Sequence, residues 1–229
     1  RAHDSFKEQF GLEFRVGTEP EMMWLKKGPD GKPDGGVTEP YCYHIDQFES
    51  LRPVFMQVIE YAQAMGLDMI QGDHEDAPGQ LELNWMFDDV VKNADRLSTY
   101  RQICAQVARE NNLIACFMSK PFMGVSASGC HTNISLWKGG KDELNKLHNE
   151  PLPGLDQVFT YRVDGEILFM PDTDDIQKPG KVGLQCVGGI VKHLGALTAI
   201  GCSTVNSYRR LWDTGFWAPV FADWGFQNR

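Results

Sequence analysis

Apolar and polar positions along this chain follow two periods, and the switches between them mark out its elements. Gly11 to Trp24 reads as extended, with alternation through Glu19, Glu21 and Met23 and a break at Gly17. Gly28 to Gly36, Gly-Pro-Asp-Gly-Lys-Pro-Asp-Gly-Gly, is predicted as a loop or hairpin tip. Leu51, Val54, Phe55, Val58, Ile59, Ala62 and Met65 then recur at helical spacing, behind a candidate Ser50 cap and ahead of a terminating Gly66. Gln80 to Phe87 alternates strictly, with Gln80, Glu82, Asn84 and Met86 opposite Leu81, Leu83, Trp85 and Phe87, which predicts a half-buried strand. Asp88 to Asn112 reads as a long helix with Val91, Ala94, Leu97 and Val107 turned inward. Leu113 to Ser119 is a short apolar strand, and Cys130 to Trp137 alternates so that His131, Asn133 and Ser135 share a face. Gly183 to Gly201 is a last helix of small and apolar residues. Helices and hairpin-like strands interleave without a βαβ rhythm, an internal repeat or a Pro/Ser-rich linker, so the expected class is α+β.

Composition is that of a globular chain, and charge adds an exclusion. With 31 acidic against 22 basic residues the formal charge is −9, the wrong balance for a protein that neutralises nucleic-acid phosphates. No uninterrupted run of about 18 apolar residues is present, so no membrane span is expected. The polar, charged stretch Arg1 to Phe10 does not read as a signal peptide. Six cysteines without a CxxC pair favour free thiols, buried or partly buried, over zinc or a disulfide framework, and the cytoplasm is the expected compartment. The chain lacks an initiator Met and is expected to be part of a longer protein, incomplete at both ends.

Three groups of residues carry candidate chemistry. In Glu19-Pro20-Glu21 the two carboxylates of a strand point to one side. In His74-Glu75-Asp76-Ala77-Pro78-Gly79-Gln80-Leu81-Glu82 a Pro-Gly turn can fold Glu75 back beside Glu82. In Ser128-Gly129-Cys130-His131-Thr132-Asn133 an imidazole and an amide stand on neighbouring outward positions. Each alone is a weak signal, since paired glutamates on a strand are more often a solvated face and a lone histidine more often a satisfied polar residue. Together they are carboxylates and one imidazole on polar faces of strands whose other faces are apolar. Crowded like charges need a cation, and oxygen-rich ligands with one nitrogen suit Mg²⁺ or Mn²⁺ better than zinc.

An ordered set of motifs then carries a resemblance. Gly17-Thr18-Glu19-Pro20-Glu21, His74-Glu75 through Gly79-Gln80-Leu81-Glu82, Phe117-Met118-Ser119-Lys120-Pro121, Ser128-Gly129-Cys130-His131, Asn206-Ser207-Tyr208-Arg209-Arg210 and Ala218-Pro219 with Asn228-Arg229 resemble the catalytic domain of the glutamine synthetase family. The likeness extends from about Leu12 to Arg229 in the family's order. It implies a glutamine synthetase/guanido kinase-like fold, a curved antiparallel sheet with packed helices, and makes residues 1–229 a partial catalytic domain without its N-terminal β-grasp domain and C-terminal part. It also implies two divalent ions per site (Mg²⁺ or Mn²⁺), with Glu21, Glu75 and Glu82 matching the ligands of one ion and Glu19 and His131 those of the other. Arg210 matches an arginine at the amino-acid or phosphate end, and Arg229 one on the transferred phosphoryl group. Ser126, Ala127 and Gly129 fall in the substrate-binding segment, and Asn133 and Ser135 on the nucleotide side. The implied reaction is two-step: the γ-carboxylate of L-glutamate attacks ATP, and an amine displaces phosphate from γ-glutamyl phosphate. Assembly into a homo-oligomeric double hexameric ring, and inactivity of these residues in isolation, are further implications.

Departures from the family pattern refine the expectation. Where ammonia-using members carry a flap glutamate, this chain has Trp217, in Gly215-Phe216-Trp217-Ala218-Pro219-Val220. An indole supplies apolar surface instead of a carboxylate, and burying one CH₂-sized group is worth about 0.8 kcal/mol. That favours a substituted amine such as methylamine, as in the γ-glutamylmethylamide synthetase-like branch; alternatively Trp217 only packs the flap hinge. The Asn-Gly pair common before Ser-Gly is Ser126-Ala127 here, and a common His is Asn133, which hydrogen-bonds without carrying charge. An ammonia-using glutamine synthetase with an unusual flap, and a non-catalytic structural or nucleotide-sensing relative, are the competing readings.

Overall fold

The structure, a computed structural model, describes residues 1–39, 42–139, 166–172, 178–211, 218 and 224–225. In chain order its elements are α1 (Ala2–Phe10), β1 (Leu12–Lys27), β2 (Pro33–Gly36), α2 (Ile45–Ser50), α3 (Arg52–Ala64), β3 (Met69–His74), β4 (Gln80–Trp85) and β5 (Asp88–Asp89). There follow α4 (Val90–Glu110), β6 (Leu113–Cys116), β7 (Cys130–Lys138), β8 (Glu166–Ile167), α5 (Lys181–Gly201) and α6 (Val205–Arg210). The strands run β3-β4-β1-β7-β8, and β2, β5 and β6 pair with β1 off this path. The pairs β1–β2, β1–β4, β1–β6, β3–β4 and β7–β8 are antiparallel, so the architecture is α+β as expected.

By contact the chain divides into two units, Arg1–Arg15 with Ile134–Gly188 and Val16–Asn133 with Gly189–Arg229. In the first, α1 ends on Gly11 in a left-handed conformation and Phe6 stacks on Phe14 at 5.0 Å. The Arg15 guanidinium and Lys7 ammonium both meet the Glu13 carboxylate, at 2.6 Å and 2.8 Å.

The second unit holds the main core. Met22 and Trp24 of β1 pack with Leu81, Leu83 and Trp85 of β4, Val54, Phe55, Val58 and Ala62 of α3, and Tyr100, Ile103, Cys104 and Val107 of α4. Met23 and Leu25, on the opposite face of β1, pack with Ala77 and Cys116. An apolar contact on both faces immediately after Glu21 fixes which way each β1 side chain points.

Several expectations are corrected. β1 continues through Gly17 without a break. The α3 helix has no side-chain cap, because the Ser50 hydroxyl donates to the Gln47 carbonyl and closes α2 instead; Pro in the first turn starts α3. All six β4 positions are buried, so the strand is covered on both faces and not half-buried. On α4, Val91 and Ala94 face outward and Leu97 is half-buried, whereas Asn93, Arg96 and Tyr100 are buried. The reason is hydrogen bonding. Asn93 Oδ1 accepts from Trp85 Nε1 at 2.7 Å and its amide donates to Thr18 Oγ1, while Arg96 serves the Met86 carbonyl and Asp68. Asp89 caps α4 by accepting from Val91 N.

Cys42 and Cys130 are exposed and Cys104 and Cys116 buried, all free; burial pushes the Cys104 thiol up to about 12. Among the described residues one helix, α5, is long and apolar enough to cross a membrane by length and composition, although Gln185, Lys192 and His193 interrupt its run.

Replacing Asn93 by Ala strands the buried Trp85 N–H and Thr18 hydroxyl. The expected cost is about 2 kcal/mol, read as a lower urea midpoint, whereas Ala94→Ser on the outward face leaves the midpoint unchanged.

Candidate metal centre

The centre is built on β1. Glu19 and Glu21, two positions apart on the strand, point to one face. Glu82 of β4 is the register partner of Glu21, and Asp73 of β3 the register partner of Glu82. His131, at the start of β7, brings Nδ1 to 3.4 Å from Glu19 Oε2 and 3.6 Å from Glu21 Oε1. One ligand atom each from Glu19, Glu82 and His131 lies within 4.8 Å of the others, and this is the donor set present among the described residues.

Burial pushes the Glu82 carboxyl up to about 7; the Asn84 amide opposes the rise, and the charges of Glu19, Glu21 and Asp73 add to it. Carboxylates crowded around the buried Glu82 disfavour full ionisation without a counter-charge. Carboxylates plus one imidazole fit a hard divalent cation such as Mg²⁺ or Mn²⁺. Glu19, Glu21, Glu82 and His131 are the residues that would hold it.

Neutral groups orient these ligands. Gly129 N donates to Glu21 Oε2 at 2.7 Å, and Glu21 N to the Gly129 carbonyl at 3.1 Å. Asn133 Nδ2 donates to Glu19 Oε1 at 2.8 Å and Asn84 Nδ2 to Glu82 Oε1 at 2.8 Å. Asn133 therefore stands against a carboxylate of the candidate centre. A Cβ on Gly129 would meet Arg210 Nη2 at 2.9 Å and His131 Nε2 at 3.0 Å, so glycine here gives both side chains room to approach this backbone.

Beside the carboxylates lies a cavity of about 220 Å³ whose lining includes Glu21, Arg101, Ser128, Gly129, Cys130 and Arg210. Arg210 Nε is buried and meets no hydrogen-bond acceptor among the described residues. Lys120 is buried nearby; burial, and then the Arg210 charge, hold its ammonium below the usual range. The Asn206 side chain fixes α6, accepting from Lys120 N and donating to the Lys120 carbonyl, both at 2.8 Å. That bridge joins two of the sequence motifs and carries Arg210 to the cavity.

Other expected residues lie differently. Glu75 closes the hairpin through its backbone, donating to the Gln80 carbonyl at 3.0 Å, but it does not join the three-donor set with Glu82; its charge is felt at Cys42. The Ser126 hydroxyl donates to Asp76 Oδ2, and the Ala127 carbonyl accepts from Gln80. Ser135 belongs to the first unit, where it accepts from Trp137 Nε1 at 2.8 Å. Trp217 and Arg229 lie outside the described residues. Arg101 and Gln80 were missed as functional candidates. A basic residue on a polar helix position and a Gln on a strand leave no pattern that separates them from surface residues.

An α+β unit presenting clustered carboxylates and a histidine beside a cavity that bears two arginines is a candidate site for a divalent cation. Comparison with known proteins gives the family: residues 1–155 and 158–229 match the glutamine synthetase catalytic domain, and the chain belongs to that family. It is 32% identical to the glutamine synthetase of Rhizobium leguminosarum bv. phaseoli over 96% of this chain and 46% of the relative. It is likewise 32% identical to that of Pyrococcus furiosus, over 97% of this chain and 44% of the relative. Among solved structures it is similar to a GmaS/ADP complex, GmaS being γ-glutamylmethylamide synthetase, with TM-score 0.71, 29% identity, and coverage of 94% of this chain and 43% of that one. The fold is thus glutamine synthetase-like. The chain spans less than half the length of the curated relatives it matches.

The Glu82 shift predicts a pH-dependent stability. Its folded-state pKa, about 7, exceeds the ordinary 4.5, so without metal the folded state binds the extra proton. Metal-free stability therefore falls as pH rises from about 4.5 to 7. Added Mg²⁺ is expected to raise Tm more at pH 8 than at pH 5.5. Glu82→Gln should raise the metal-free Tm at pH 8 and remove most of the Mg²⁺ gain; scanning fluorimetry checks both.

Proposed function

We propose that the native protein is an ATP-dependent ligase that joins the γ-carboxylate of L-glutamate to an amine, with a substituted amine such as methylamine favoured over ammonia. The observation that carries this reading is the contact between the Glu19, Glu21, Glu82 and His131 cluster and a cavity bearing Arg101 and Arg210. Family membership, relatives named glutamine synthetase and likeness to an ADP-bound GmaS support it.

The chemistry asks little covalent work of the protein. A glutamate γ-carboxylate oxygen forms a bond to the γ-phosphorus of ATP as the bond to ADP breaks. The amine nitrogen then bonds to the acyl carbon, phosphate leaves, and the nitrogen gives up a proton. Divalent ions, two per site in the family reading, would neutralise phosphate charge on the carboxylate side, with Glu75 as a further ligand. Arg210, whose Nε lacks a hydrogen-bond acceptor among the described residues, orients a carboxylate or phosphoryl oxygen from the other side. Ser126, Ala127 and Gly129 line the donor-acid side, Asn133 and Ser135 serve the nucleotide, and Arg229 the transferred phosphoryl group.

For the amine, the sequence supplies the argument. Trp217 stands where an ammonia-using flap has a carboxylate, and its indole favours an alkyl group over an ammonium ion. A cytoplasmic homo-oligomer completes the reading. A purely structural relative is disfavoured because crowded, partly buried carboxylates destabilise a fold that has no use for a cation.

The test is phosphate release from ATP, Mg²⁺ and glutamate with ammonia, methylamine, ethylamine, ethanolamine and a polyamine. Methylamine or another alkylamine is expected to support turnover at least tenfold better than ammonia, and Trp217→Glu to move the preference towards ammonia. An ammonia preference in the unaltered protein would overturn the amine assignment, and silence with every amine the ligase reading.

A further inference from the structure

Gln80 is 1% exposed, at the start of β4, and every polar atom of its side chain is engaged. Its Oε1 accepts from Ala77 N at 2.9 Å, within the tight turn that ends on Gly79. That bond fixes the amide's orientation and aims Nε2 at Glu21 Oε2 (3.2 Å), the Ala127 carbonyl (3.2 Å) and Ser128 Oγ (3.1 Å). Two N–H protons thus serve three acceptors, so the amide nitrogen is fully engaged and shared between the carboxylate and the 127–128 segment. Glu21 Oε2 also receives the Gly129 N–H at 2.7 Å. One carboxylate oxygen therefore takes two neutral donors, and the other, Oε1, is turned towards His131.

We propose that Gln80 is a positioning residue for the metal centre: by holding Glu21 Oε2, it presents Oε1 as the single oxygen offered to the ion. The same side chain ties together the segments that supply the centre. It joins the turn after Glu75, the β1 carboxylate, and residues 127–128, which lead into His131. A neutral amide suits this task, because it orients a carboxylate without competing with the cation for its charge, as outer-shell partners of metal ligands do. The assignment rests on the metal-dependent reading above.

Locking Glu21 to one oxygen has a consequence for ion choice. Mg²⁺ and Mn²⁺ favour compact octahedral sites, whereas Ca²⁺ accepts more ligands and bidentate carboxylates. A released Glu21 can swing to bidentate contact, which compensates for Ca²⁺ and not for the smaller ions. Gln80→Met fills similar volume without a donor.

The experiment measures Mn²⁺ and Ca²⁺ affinity of the native protein without nucleotide, Mn²⁺ by electron paramagnetic resonance and Ca²⁺ by competition. Gln80→Met is expected to weaken Mn²⁺ about 10–100-fold, the range typical of lost outer-shell partners, while Ca²⁺ changes less than threefold. In a Glu21→Gln background Gln80→Met should cause no further loss, since its effect passes through Glu21. Unchanged Mn²⁺ affinity in folded Gln80→Met, an equal fall for both ions, or a full additive loss in the double variant would overturn the proposal. If Gln80→Met does not fold, Gln80→Asn, which keeps the amide one methylene short, carries the same expectations. Failure of the metal reading itself is distinct: the unaltered protein would then bind no Mn²⁺, or Glu21→Gln would bind it equally well.

Discussion

Glu21 and Glu82 face each other across the β1–β4 ladder, and this opposition of like charges is what the surrounding structure has to sustain. Directly opposed like charges destabilise a strand pair, and Asp73, opposite Glu82 on the next strand, adds a third. The pair persists because β1 is anchored immediately beyond it. Met22 and Trp24 are buried on one face and Met23 and Leu25 on the other, so shifting the register by one residue would exchange two complete apolar sets. The apolar half of the strand thereby holds its acidic half in an arrangement that favours a cation.

A second tier of neutral side chains converts that constraint into fixed geometry. Thr18, Asn93 and Trp85 connect β1, α4 and β4 by a chain of hydrogen bonds one residue before Glu19. Asn84 and Asn133 each hold one oxygen of a site carboxylate. Asn206 brackets Lys120 and so sets where α6 delivers Arg210. None of these groups carries charge. The asparagines fix charged residues, and the Thr18–Asn93–Trp85 chain fixes the strands that carry them, without changing the electrostatic balance, so the cluster stays net negative and the cavity keeps its guanidinium groups.

The period-two stretches made β1, β4 and β7 legible in the sequence, together with the placement of Glu19 and Glu21 on one side and His131 beside Asn133. The helices α3 and α4 were legible in extent but not entirely in facing. Apolar periodicity put Val91 and Ala94 inward, yet Asn93 and Arg96 occupy those positions. A buried amide or guanidinium is favourable only once its partners are present, and Thr18 stands 75 positions from Asn93 in sequence. The same reason hid Gln80, whose carboxylate partner is 59 positions away, and made the polar face of β4 look solvated. Periodicity reports which side chains avoid water, and it is silent about polar side chains that satisfy one another.

Gly129 shows how the two halves of the site come into contact. Its N–H and carbonyl engage Glu21, which faces His131 on one side and lines the arginine cavity on the other. Its missing side chain is the space into which Arg210 Nη2 and His131 Nε2 both approach. The anionic cluster and the cationic cavity therefore meet across a single glycine, with no side chain between them. In the proposed reaction the group that moves is a phosphoryl, which needs cations on both flanks as its charge spreads. A Cβ here would press on both side-chain ends, so a larger residue would push the guanidinium and the imidazole apart. The closeness of opposite charges, more than any single ligand, is thus the property that this segment contributes to the site.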